Sequence, residues 1–86
     1  MTMYLAKIKV TYKPSVLDPQ GEVIKSALHR LDYETVNQVI QGKYFEVKLA
    51  ADSIEAANGL VESMTEALLI NQNTETYNYT VEEVEA

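Results

Sequence analysis

From Met3 to Tyr12 the chain alternates. Tyr4, Ala6, Ile8, Val10 and Tyr12 share one side, and Leu5, Lys7, Lys9 and Thr11 share the other. A period of two in a segment rich in β-branched and aromatic residues predicts a strand with one wet face. Lys13-Pro14-Ser15 ends it, because proline cannot donate to a ladder. The period then changes. Val23, Ile24, Ala27, Leu28 and Leu31 recur at helical spacing behind Asp18, a good N-cap, and Pro19, whose missing N–H costs nothing at the first helical position. VNQVI at 36–40 predicts a short strand, Gln41-Gly42 a turn, and KYFEVKLA at 43–50 a second alternating strand with Phe45, Val47 and Leu49 inward. Ile54, Ala57, Leu60, Val61, Met64 and Leu68 line one face of a second helix, with Glu55, Glu62 and Glu66 opposite. Asp52 and Glu55 have capping-box spacing at its start. After the loop NQNTE, TYNYTVEEV forms the last strand, with Tyr77, Tyr79 and Val81 on one face.

Strand, helix, strand, strand, helix, strand is the ferredoxin-like βαββαβ order of an α+β fold. Right-handed crossovers then place both helices on one face of a four-stranded antiparallel sheet. The other face carries Lys7, Lys9, Thr11, Tyr44, Glu46, Lys48, Asn78, Thr80 and Glu82, polar and of mixed sign. At 86 residues, positions 1–86 form a single domain. Its core is modest, and oligomerisation is a common support for chains of this size.

The net charge is -6 and unevenly spread. Up to Lys48 the chain carries seven basic and five acidic residues, and after it Asp52 and seven glutamates with no basic residue. Such an acidic half repels phosphate backbones and anionic lipid, so neither nucleic acid nor membrane is expected as a partner. No apolar run approaches a membrane span, no secretory signal is visible and there is no cysteine, which together predict a soluble, cytoplasmic protein.

Few residues here carry chemistry. The lone histidine, His29, sits in the first helix without a second ligand type near it, so no metal site is expected. There is no Gly-rich phosphate loop. Glu82, Glu83 and Glu85 read as a solvated tail, and the only arginine, Arg30, lies late in a helix. No catalytic residue is therefore assigned. Two places stand out instead. Asp18, Pro19, Gln20 and Gly21 start a helix with a glycine that propensity does not explain, which suggests that a carboxylate or a partner's carbonyl approaches its open N–H groups closely. Gly42, Lys43 and Tyr44 turn the chain and project from the following strand. Both are candidate partner interfaces.

KPSVLDPQG at 13–21, ALHRLDY at 27–33, GKYFEV at 42–47 and ADS at 51–53 with Glu55 and Ala57 resemble the PurS family. That is the small subunit of phosphoribosylformylglycinamidine (FGAM) synthase in purine biosynthesis. The resemblance implies a ferredoxin-like fold and a subunit with no independent activity. It implies that the chain helps join a glutaminase subunit to a large synthetase subunit and aids ammonia transfer between them. ATP, Mg and glutamine are then used by those partners, and this chain binds no cofactor alone. Self-association as a dimer or tetramer is also implied. Two positions depart from the family pattern: Ile40 and Gln41 stand where an arginine and a hydrophobic residue are usual, and Asp32 stands where glycine is usual. A small-molecule-binding regulatory domain of the same topology is the second reading, and a stand-alone small enzyme the third.

Overall fold

The computed structural model describes residues 1–85. Three strands, β1 (Thr2–Tyr12), β2 (Lys43–Ala51) and β3 (Glu75–Val84), form an antiparallel sheet in the order β2-β1-β3. Two helices, α1 (Pro19–Arg30) and α2 (Ile54–Met64), lie in the connections. The alternation in β1 is realised as read. Ala6, Ile8 and Val10 are fully buried, Tyr4 nearly so, and Val61 of α2 closes over them. Ala57 packs with Tyr4 and Ala51 at the other end. Burying side chains of the size of Ile8, Val10 and Val61 stabilises by roughly 1.5–3 kcal/mol each. Phe45, Val47 and Leu49 of β2 and Tyr77, Tyr79 and Val81 of β3 flank this row on the same face, only half-buried.

α2 is capped by Ser53, not by Asp52. The backbone at Ser53 is extended, and its Oγ accepts from the Ala56 N–H at 3.1 Å, three residues on. At its C-terminus α2 runs into a π-helical turn, Thr65–Leu69, closed by Ile70 N–H donating to the Thr65 carbonyl. The wider turn shifts the apolar stripe by one residue. Leu69 and Ile70 reach the core, and Leu68, expected inside, is left exposed. Tyr77 and Tyr79 donate their hydroxyls to Glu66 and Glu62, fastening this end of α2 over β3.

Two expectations are not realised within the single chain, for one reason. The sheet has three strands rather than four, because 36–40 forms no ladder, and only α2 covers the sheet, because α1 lies off its end. No Cα of α1 comes within 8 Å of the sheet or of α2. Three backbone groups of 36–41 face α1 and its cap instead. The Val36 carbonyl accepts from His29 Nε2 at 2.8 Å, the Val39 carbonyl lies against Gly21, and the Gln41 N–H donates to Asp18. A carbonyl can only accept, so His29 carries its proton on Nε2 in this contact. The molecule is correspondingly long, 52 × 28 × 15 Å. Its radius of gyration of 16.7 Å exceeds the roughly 12 Å of a compact chain this size.

α1 ends in a Schellman motif: Tyr33 N–H donates to the Leu28 carbonyl at 3.0 Å and Asp32 N–H to the His29 carbonyl at 3.1 Å. Asp32 occupies the left-handed position, at φ 72°. A Cβ is disfavoured there, so Asp32→Gly is expected to stabilise the chain by roughly 0.5–1 kcal/mol, read from its urea midpoint.

Candidate functional site

Asp18 is where the sequence places a helix cap, and its carboxylate does more than cap. Oδ1 accepts from the Gly21 N–H at 2.9 Å, as expected for an N-cap and the third helical residue. Oδ2 accepts from the Gln41 N–H at 2.8 Å, 23 positions away. The Gln41 bond, then the Gly21 bond, hold this carboxyl below the usual carboxylate range. A Cβ on Gly21 would run into the Val39 carbonyl and sit 2.9 Å from Asp18 Oδ2. A Cβ on Gly42 would run into the Val10 carbonyl and sit 2.8 Å from Thr11 Cγ2. Both glycines are thus close-approach positions, and the backbones that approach belong to the same chain. The junction bolts the start of α1, the 39–42 segment and the end of β1 together.

Beside it, Lys43 Nζ pairs with Glu75 at 3.2 Å, joining the first residues of β2 and β3 across β1. Glu75 also accepts from the Asn71 N–H at 2.8 Å. That bond, with help from Lys43, holds its carboxyl below its ordinary value against the opposing effect of desolvation. The residues surround an open cleft of about 290 Å³, lined by Asp18, Gln20, Gln41, Gly42, Lys43 and Glu75 and by the Val10–Tyr12 end of β1. The walls offer an ion pair, two amides and a carboxylate whose oxygens are already engaged. No His, Cys, Asp and Glu cluster of three or more gathers among the described residues.

Of the seven candidate interface residues, the structure brings Asp18, Gln20, Gly21, Gly42 and Lys43 to this one end. Pro19 opens α1 there and is exposed. Tyr44 does not join them. It lies opposite Lys9 on the polar face, donating its hydroxyl to Glu46 at 2.8 Å, a bond that raises its pKa. Reading the sequence missed Val39, Gln41 and Glu75 as members of the site. Each takes part through a backbone or through a partner many positions away, and no local spacing marks that. Outside the cleft the same end carries apolar side chains in the open. Leu17 is 69% exposed, Ile40 59% and Val23 66%.

Residues 5–83 match the family model PurS, described as phosphoribosylformylglycinamidine (FGAM) synthase. The chain is 44% identical over 84 residues to the PurS subunit of that synthase from Bacillus subtilis, covering 98% of this chain and 99% of the relative. Among solved structures it is similar to Methanocaldococcus jannaschii PurS, with a TM-score of 0.85 at 30% identity over 95% of this chain and 99% of the other. It is also similar to a chain in the structure of PurLQS from Thermotoga maritima, with a TM-score of 0.82 at 31% identity over 98% and 100%. Values this high require residues 13–42, α1 included, to run alike in those chains.

Proposed function

The chain belongs to the PurS family of FGAM synthase, and from that premise we propose that it is the non-catalytic subunit that joins the glutaminase to the ATP-dependent synthetase in purine biosynthesis. What carries the reading is likeness along nearly the whole length to PurS subunits, one of them in a solved PurLQS structure. The chemistry agrees. In the cleft the Asp18 carboxylate and the Lys43–Glu75 pair are engaged within the chain itself. ATP, Mg and glutamine are then handled by the partner subunits, and this chain contributes surface and any wall of an ammonia path.

Within that reading the junction has two roles. Asp18, Gly21 and Gly42 hold the chain to itself, and Pro19, Gln20, Lys43 and Tyr44, all exposed, face the partners. The full ferredoxin-like arrangement, with 36–40 as a fourth strand, belongs to the assembled state. β2 pairs with β1 only, and its outer edge is an open template for a strand. A free-standing metabolite-sensing domain explains none of the family matches. Sedimentation velocity of the purified subunits, with glutamine and ATP present, checks the role. Glutaminase and synthetase are expected to sediment as one complex with this chain and as separate species without it. Co-sedimentation unchanged by its omission contradicts the assignment.

A further inference from the structure

We infer that Asn58–Gly59 is a self-modification site that α2 holds shut: when the helix opens, Asn58 cyclises onto the Gly59 nitrogen and the chain is converted irreversibly. The inference starts from a glycine without a packing role. Gly59 is exposed in the middle of α2, and a Cβ built on it meets nothing within 4 Å. Glycine is also a poorer helix residue than alanine, so neither packing nor propensity accounts for it. What it supplies is a backbone nitrogen with no side chain beside it, directly after an asparagine. The chain has asparagines at 37, 58, 71, 73 and 78, and only Asn58 is followed by glycine.

The step needs water and no catalyst. The Gly59 nitrogen attacks the side-chain carbonyl carbon of Asn58 and a C–N bond forms. The side-chain amide nitrogen leaves as ammonia, taking the Gly59 proton with it, and a five-membered succinimide remains. Water then opens the ring at either carbonyl. One opening gives aspartate, and the other gives isoaspartate, in which the main chain runs through the side-chain carbon. In α2 the attack is blocked. The helix directs the Gly59 N–H to the carbonyl four residues back, at Glu55, and helical dihedrals keep that nitrogen off the Asn58 side chain. Both products act on the same turn. Aspartate at 58 stands three residues after Glu55 and four before Glu62, like charges at neighbouring helical positions. Isoaspartate adds one atom to the main chain and puts every later residue of α2 out of register. Those include Val61, fully buried against the sheet, and lead on to Glu62 and Glu66, which hold Tyr79 and Tyr77. A chain converted while open thus loses the helix that covers its core and leaves the folding equilibrium.

The other asparagines supply the controls. The purified chain is held warm in mildly alkaline buffer, with and without concentrated urea, and conversion at each asparagine is read by peptide mass spectrometry. In urea, Asn58 is expected to convert first, ahead of the other four. In the folded chain its conversion is expected to slow by roughly tenfold or more, because only the open fraction of α2 reacts. Its lead over Asn71 and Asn73, in the loop before β3, is then lost. Gly59→Ala adds a methyl that meets no neighbour. It is expected to keep or raise the urea midpoint and to lose the fast conversion in urea. Chain converted to isoaspartate at 58 is expected to recover less helical circular dichroism when urea is removed. Equal rates at Asn58 in the folded chain and in urea overturn the helix as the gate. Conversion at Asn58 no faster than at the other asparagines in urea, or undiminished in Gly59→Ala, overturns the site. Full helical recovery of the isoaspartate chain overturns the loss from the folding equilibrium.

Discussion

Gly21→Val is expected to destabilise the isolated chain by roughly 3 kcal/mol, and Gly21→Ala by nearly as much. The reason is that the first atom added already collides. A Cβ at this position meets the Val39 carbonyl, which is backbone and cannot rotate away, and crowds Asp18 Oδ2 at 2.9 Å. Accommodating it means pulling the 39–41 segment off the start of α1, which costs the bond from Gln41 to Asp18 and loosens the cap on Gly21. The sign of the alanine variant decides the matter. In an ordinary first turn, Ala in place of Gly stabilises a helix by up to about 1 kcal/mol. A lower urea midpoint for Gly21→Ala, at fixed protein concentration, is the expected result, and a higher one removes the junction from the account. Acid acts on the same contact. The Asp18 carboxyl sits below its usual range when folded, so its contribution is complete at neutral pH and is lost as pH falls through that lowered value.

Gly21 also shows what the sequence conveys and what it does not. A glycine inside a capped first turn announces close approach, and close approach is what the structure has. The identity of the approaching backbone is not local information. Val39 lies 18 positions on, in a segment whose β-branched residues suggested a strand. Propensity at 36–40 did not prevail: His29 bonds the Val36 carbonyl, the Val39 carbonyl lies against Gly21, and the adjacent Gln41 N–H donates to Asp18. The three strands that do form were legible because each has a period-two pattern with its apolar side on the same core. The stripe of α1 was equally legible, but within the single chain its Val23 and Leu31 remain exposed. In α2 the stripe was read one residue out at its end, because a π turn adds a residue that no pattern of 3.6 anticipates. The Asp32 departure proved mild. The Schellman bonds survive with aspartate in the left-handed position.

Omitting this chain from a mixture of purified glutaminase and synthetase is expected to cut glutamine-dependent FGAM formation by about a hundredfold at dilute subunit concentrations. A joining subunit acts by holding the two partners at high effective concentration, and its loss returns them to bulk dilution. Synthesis driven by added ammonia should be untouched, because a joining subunit takes no part in the bond-forming step. Measured side by side, the two rates test the central claim most directly. Loss of the glutamine-driven rate with the ammonia-driven rate preserved is the predicted result. Equal rates with and without the chain, or a parallel loss of both, contradict it.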